Sequence, residues 1–264
     1  MSLVSIEHLR KVYWRDDREF EAIRDITLEV RSGEFISIVG PSGCGKTTLL
    51  SCISGLRSLT GGRVVVNGRV VNKPIREIAL IFQDYGRTLL PWRSALGNVI
   101  FGMENRPEIS RNEYEGRARE ALRSVGLVGI EQSYPWQLSG GQQQRVAIAR
   151  GIANGSEILL MDEPFASVDA QTRSELEDLM LKIWKELKKT VIFVTHDIDE
   201  AVYLSDRVAV LSKPPCAVLE TLEIKLDRPR DQIATREQPQ FLECRRSIHS
   251  LLHQRAGRTE EAQP

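Results

Sequence analysis

Glu34-Phe35-Ile36-Ser37-Ile38-Val39-Gly40-Pro41-Ser42-Gly43-Cys44-Gly45-Lys46-Thr47-Thr48-Leu49-Leu50 is the stretch that decides the fold. Residues 34–39 read as a buried strand, 40–45 as a Gly-rich turn, and the apolar run 49–53, closed by Gly55, as a helix. The turn satisfies G-x-x-x-x-G-K-[ST] in the strand-to-helix setting that this pattern requires. Its glycines let successive N–H groups converge on phosphate oxygens, and the following helix directs its N-terminal partial charge to the same place. Lys46 is expected to reach the β- and γ-phosphates and the Thr47 hydroxyl to bind Mg²⁺. The blander reading is a Gly-rich turn with an incidental lysine. Cys44 reads as packing inside the loop, with a reactive thiol at a helix start as the alternative.

Working outward, short apolar runs at 78–82, 158–161, 191–194 and 208–211 fit central strands of a largely parallel sheet. Strand-like and helix-like stretches alternate, which predicts an α/β fold. Ile158-Leu159-Leu160-Met161 runs into Asp162-Glu163, two carboxylates at the carboxyl edge where open α/β sheets bind ligands. Asp162 is placed to hold Mg²⁺ and Glu163 to orient or deprotonate a water attacking the γ-phosphate. A polar strand end capping the next turn is the alternative. Gln83 follows 78–82, where a neutral amide could touch both Mg²⁺ and the attacking water. His196 follows Thr195, where it could hydrogen-bond the γ-phosphate, although a histidine at a strand end is usually structural.

Between 87 and 156 the character turns to helices and loops, read as a helical insertion. Ser110-Arg111-Asn112-Glu113 is a capping-box pattern. It predicts a helix with Tyr114, Ala118, Ala121, Leu122 and Val125 as its apolar positions and Gly126 as its end. Leu138-Ser139-Gly140-Gly141-Gln142 opens a longer helix, again with a capping box, from Ser139 to Gln142. Each glycine there is unfavourable in a helix by about 1 kcal/mol relative to Ala, which suggests a backbone that must approach something anionic. Past Leu226 the chain is polar and Pro-punctuated. Phe241, Cys244, Ile248, Leu251 and Leu252 then mark one face of an amphipathic helix starting near Pro239, and 257–264 reads as a frayed tail.

Composition narrows the classes. The 264 residues carry 36 Lys+Arg against 36 Asp+Glu, so the net charge of zero lacks the basic footprint of a nucleic-acid binder. A hydrophobic share of 41% with 27% charged residues is that of a globular protein. The longest apolar run, 78–82, is far short of the roughly 18–20 residues that span a bilayer. The N-terminus has neither the basic nor the apolar region of a secretory signal. Cys44, Cys52, Cys216 and Cys244 form no metal spacing and read as reduced cytosolic thiols. The four histidines read as scattered, with no pair at a metal-binding spacing along a helix.

Taken together, these residues make the chain resemble the nucleotide-binding subunit of ATP-binding-cassette (ABC) transporters over roughly residues 4–230. The phosphate loop, Gln83, Leu138-Ser139-Gly140-Gly141-Gln142, Asp162-Glu163 and His196 stand in that family's order and spacing, and the Leu-Ser-Gly-Gly-Gln signature is its diagnostic element. The finer resemblance is to ATPase subunits of nitrate/sulfonate/taurine-type importers. It is carried by Gln83-Asp84-Tyr85-Gly86-Arg87-Thr88-Leu89-Leu90-Pro91-Trp92, Tyr134-Pro135-Trp136-Gln137 and Met161-Asp162-Glu163-Pro164-Phe165-Ala166. Thr195-His196-Asp197-Ile198-Asp199-Glu200-Ala201 also fits. Trp136 stands where this group often has His.

The resemblance implies a RecA-like P-loop NTPase core with an antiparallel β-subdomain and an inserted helical signature subdomain. The ATPase domain would span 4–235, with core 4–86 and 155–230 and helical subdomain 87–154. Residues 236–264 would form a C-terminal amphipathic helix and polar tail. It also implies that two copies close head-to-tail, the phosphate loop of one and Ser139, Gly140, Gly141 and Gln142 of the other sandwiching ATP. Asp169, within Ala166-Ser167-Val168-Asp169, matches the loop crossing that interface, where the family more often has Ala-Leu-Asp. Tyr13 is the match for the adenine-stacking aromatic, with Trp14 as its competitor. The implied partners are transmembrane permease subunits contacted through 83–92 and, indirectly, a solute-binding protein. The implied location is the cytoplasmic face of the cell membrane. The alternatives are a soluble ABC ATPase acting on DNA, ribosomes or iron–sulfur cluster assembly, and a metabolite kinase with a phosphate loop.

Overall fold

The computed structural model describes residues 2–15 and 18–254. The expected tail at 257–264 lies outside the described residues. In chain order the elements are β1 Ser2–Arg15, β2 Arg18–Arg31, β3 Phe35–Val39, α1 Lys46–Ile53, β4 Gly61–Val66, β5 Arg69–Val70, β6 Ile78–Ile81, α2 Tyr85–Thr88, α3 Ala95–Phe101, α4 Tyr114–Ser124, α5 Gly140–Ala153, β7 Ile158–Asp162, α6 Ala170–Leu187, β8 Thr190–Thr195, α7 Ile198–Leu204, β9 Arg207–Leu211, β10 Cys216–Glu223 and α8 Pro239–Gln254. They form two compact units, one from Met1–Ile75 with Thr190–Pro264 and one from Arg76–Lys189.

In the first unit the strand order is β5-β4-β1-β2-β10-β9-β3-β8. β3 lies between β8 and β9 and runs parallel to both, with Val39 opposite Thr195 on one side and Val210 on the other. All five β3 residues are buried, as an apolar strand covered on both faces must be. β1, β2, β4 and β5 pair antiparallel with one another. The join between the two kinds of sheet is β10, antiparallel to β9 and parallel to β2 through Cys216 opposite Ile23. β10 was not read from the sequence; its apolar residues 216–219 are mostly half-buried and run into Glu220 and Thr221. α8 covers this unit with Phe241 and Ile248 fully buried, and Arg245 pairs with Asp199 of α7 at 3.1 Å.

The second unit holds the parallel pair β6 and β7, in register from Ile78 opposite Ile158 to Ile81 opposite Met161. Helix α3 starts at a Ser94 cap, whose side chain accepts from the Gly97 N–H. The buried Asn98 amide ties the preceding loop by donating to the carbonyls of Leu90, Arg93 and Ser94 and accepting from the Leu90 N–H. Arg145 on α5 donates to the Val125 carbonyl just past α4 and pairs with Glu175 of α6 at 3.2 Å.

Two sequence expectations are corrected. Ser110 makes no side-chain cap, because 111–113 form a 3₁₀ turn and α4 begins only at Tyr114. The histidines are not all scattered. His249 and His253 stand four apart on α8, with rings stacked 4.0 Å apart, because one helix runs through both. Among the described residues no group of three or more His, Cys, Asp or Glu side chains is arranged to hold a metal, and no helix is long and apolar enough to cross a membrane.

The load on β3 gives a direct test. Ile38 is completely buried between its two parallel neighbours. Ile38→Ala is expected to lower unfolding free energy by about 2–5 kcal/mol, read as a fall in denaturant midpoint. A midpoint equal to the unmodified protein's would contradict this assignment of the core.

Candidate functional site

In the first unit the Gly-rich loop joins β3 to α1. Gly43 and Gly45 have φ of 75° and 111°, a region open to glycine, and Gly45 is the N-cap of α1 without any side-chain cap. The first N–H groups of that helix therefore have no side-chain acceptor at the N-cap. Lys46 is 4% exposed and curls back, its ammonium donating to the carbonyls of Gly40 at 2.9 Å and Pro41 at 3.1 Å. Pro41 also accepts from the Cys44 N–H, which closes the turn. Ser42 and Thr47 are exposed and Thr48 is half-buried.

Cys44 is packed inward, 1% exposed. A Cβ on Gly40 would come within 2.9 Å of its Sγ, so the loop closes tightly around the thiol. A hydrogen bond with Cys216, helped by the Lys46 ammonium, draws the Cys44 thiol below its ordinary value against the pull of burial, while Cys216 is pushed up. Packing, the blander of the two readings of Cys44, describes its place; no sequence spacing links it to Cys216.

Because Val39 and Thr195 are paired, Gly40 and His196 leave the sheet side by side. The turn at exposed His196 is fixed on its far side. The Asp197 N–H donates to Thr195 Oγ1, and Asp197 caps α7 by accepting from Asp199 and Glu200 N–H groups. On β1, half-buried Tyr13 donates its hydroxyl to Thr48 Oγ1 at 3.4 Å, and the Lys11 and Arg57 cations lie 5.0 and 5.6 Å from its ring centroid. Trp14 is 70% exposed.

The second unit carries the carboxylates and the glycine-rich helix start. The register of β6 with β7 places Gln83 and Glu163 at equal distance past the paired Ile81 and Met161. Asp162 is 4% exposed at the end of β7, and Gln83 is exposed. Glu163 has φ of 42°, a conformation that costs a non-glycine residue about 1–3 kcal/mol and gathers at functional sites. Its carbonyl accepts from the Ala166 N–H at 3.2 Å, closing the turn after the strand. Thr47 offers a hydroxyl in the first unit, and Asp162 and Gln83 offer a carboxylate and an amide oxygen in the second, each an oxygen donor of the kind that suits Mg²⁺.

The capping box at α5 is present in full. Ser139 N–H donates to Gln142 Oε1 at 2.9 Å and Gln142 N–H to Ser139 Oγ at 3.3 Å. Accepting there leaves the Ser139 hydroxyl proton to donate elsewhere, so a well-capped helix and an anion contact are compatible. Gln143 Nε2 donates to the Pro135 and Leu138 carbonyls, and Arg150 Nη1 donates to the Thr88 carbonyl of α2 at 2.8 Å. Burial lowers the Arg150 pKa. Asp169 caps α6, accepting from Thr172 N–H at 3.0 Å and Thr172 Oγ1 at 2.7 Å. Those hydrogen bonds hold its carboxyl below the usual carboxylate range. Thr172 was missed in the sequence, although Asp-x-x-Thr ahead of an amphipathic run is a helix-start signal.

Comparison with known proteins follows this geometry. A family model described as ABC transporter matches residues 23–166, more than half of the chain. An uncharacterized ABC transporter ATP-binding protein of Methanocaldococcus jannaschii is 50% identical, over 94% of this chain and 91% of that one. A nitrate import ATP-binding protein of Synechococcus elongatus is 41% identical, over 92% of this chain and 88% of that one. Among solved structures, a dimeric ATP-binding cassette in a post-hydrolysis state bound to ADP and Pi is 34% identical, with a TM-score of 0.72 over 84% of this chain and 99% of that one. With the phosphate loop, the strand-end carboxylates and the capped Ser-Gly-Gly-Gln helix start all in place, the chain belongs to the ABC transporter ATP-binding family.

Proposed function

We propose that this chain is the ATP-binding and ATP-hydrolysing subunit that energises an importer of a small solute, in the group that serves nitrate, sulfonates and taurine. The observation that carries the reading is the phosphate cradle, Gly43 and Gly45 in left-handed conformation ahead of an uncapped α1, in a chain similar to an import ATP-binding protein. The ATPase domain is 4–235, its helical subdomain 87–154, and 236–264 is an appended helix and tail. Two copies close head-to-tail on ATP; the cassette to which the chain is similar is a dimer bound to ADP and Pi. They sit peripherally on the cytoplasmic face of the membrane against permease subunits fed by a solute-binding protein.

In this reading the loop N–H groups and Lys46 bind the β- and γ-phosphates. Tyr13, whose hydroxyl is anchored to Thr48 beside the loop, stacks on adenine, which favours it over the solvent-facing Trp14. Thr47, Asp162 and Gln83 are the residues that would hold Mg²⁺, which when bound would neutralise charge on the phosphates. Glu163 takes a proton from the attacking water, Gln83 orients that water, and His196 hydrogen-bonds the γ-phosphate. Ser139, Gly140, Gly141 and Gln142 meet the phosphates of the nucleotide held by the other copy, and Asp169 crosses between copies. Positioning and charge stabilisation do most of the work, since phosphoryl transfer offers the protein little covalent chemistry. The 83–92 segment passes opening and closing to the permease. Arg150, donating to the Thr88 carbonyl, ties that segment to the signature helix.

Glu163→Gln is expected to lower kcat by about 10²–10⁴-fold while ATP still drives dimerisation, read by steady-state phosphate release and by size-exclusion chromatography. Turnover equal to the unmodified protein's would remove Glu163 as the general base. Affinity purification of the tagged chain from gently solubilised membranes is expected to bring down multi-span hydrophobic polypeptides. Recovery with ribosomes or DNA instead would replace the importer by a non-transport ABC ATPase.

A further inference from the structure

Gly141 is the second glycine of the α5 start, and its close neighbour belongs to its own chain. An ideal Cβ on Gly141 would lie 2.7 Å from Thr172 Cγ2. That is roughly 1 Å inside ordinary carbon–carbon contact. Thr172 stands in the first turn of α6, where its N–H and its hydroxyl both engage the Asp169 carboxylate, at 3.0 and 2.7 Å. Methyl and hydroxyl share one Cβ with few allowed rotamers, so turning the methyl away from residue 141 takes the hydroxyl off Asp169. The conformation of the α5 start is held by the reciprocal Ser139 and Gln142 hydrogen bonds.

We propose that Thr172 is a positioning residue that locks the signature segment to Asp169 within one chain, and that residue 141 is glycine because the Thr172 methyl occupies the space of its Cβ. The inference rests on the functional reading above, in which Ser139–Gln142 and Asp169 both face the second copy. Its consequence is mechanical. The group that touches the partner's nucleotide and the aspartate that crosses the interface move as one body, so that closure at one is felt at the other.

The test compares ATP turnover and nucleotide affinity of the full chain in five forms: unmodified, Gly141→Ala, Thr172→Ser, Thr172→Val and the Gly141→Ala/Thr172→Ser double variant. Gly141→Ala is expected to lose about 10–100-fold in kcat, as misplacements near 1 Å do. Thr172→Ser deletes the colliding methyl and keeps the hydroxyl, so the double variant should regain at least about tenfold over Gly141→Ala. Thr172→Val keeps the methyl and loses the hydroxyl. It should lower kcat by about tenfold with ATP affinity held, and Thr172→Ser should retain more turnover than Thr172→Val.

A double variant no better than Gly141→Ala, in chains that unfold at the same temperature as the unmodified protein, overturns the steric account. Equal turnover in Thr172→Val and unmodified protein overturns the positioning role, and that comparison stands even if Gly141→Ala fails to fold. An unmodified chain that neither binds nor hydrolyses ATP instead defeats the functional reading on which the inference rests.

Discussion

Parallel pairing of buried strands fixes which residues leave a sheet edge side by side, because buried N–H and C=O groups find their partners across the ladder. That constraint organises both units of this protein. In one, Val39 opposite Thr195 sends the phosphate loop and His196 out of the sheet from neighbouring positions. In the other, Ile81 opposite Met161 does the same for Gln83 and for Asp162 with Glu163. Chemistry at the carboxyl edge is thus a by-product of register, and any slip in pairing would scatter the polar residues along with the core.

The loops that leave those edges are held by opposite means. At the phosphate loop the backbone is left open, with glycines in left-handed conformation, no side-chain cap on α1 and an ammonium folded back onto the loop's own carbonyls. At the starts of α5 and α6 the backbone is closed, with each first turn capped by side chains from Ser139, Gln142 and Asp169. The open loop can accept an anion through bare N–H groups. The capped starts instead offer a rigid backbone whose side chains present defined donors. Glu163 adds a third device, a strained φ at the residue after β7, where the turn closed by Ala166 maintains an orientation that a relaxed strand end would not.

The helical part depends on α5. It carries the capped start, donates through Arg150 to the Thr88 carbonyl of α2 and through Arg145 to the end of α4. At Gly151 it lies so close to β6 that a Cβ there would come 3.3 Å from Ile81. At Gly141 and at Gly151 the close neighbours are Thr172 and Ile81, both within the chain, so these two glycines let the helix approach α6 and β6.

Much of this was readable before any coordinates. The phosphate loop, five central strands, the Ser139–Gln142 capping box and the C-terminal helix are written in patterns of a dozen residues or fewer, where turn chemistry and periodicity act through nearest neighbours. The Ser110 box misled because a 3₁₀ turn satisfied the same backbone groups without the serine. The pair His249 and His253 was legible in the spacing, and reading the histidines as scattered overlooked it. What tertiary structure alone decided are relations between distant residues. β10 joins two kinds of sheet, Cys216 tunes Cys44, Thr172 fills the space above Gly141, and Glu163 is held in a strained φ. Local sequence encodes which conformations a segment prefers, whereas which side chain meets which is set by packing at near-crystalline density, a property that exists only once the chain has folded.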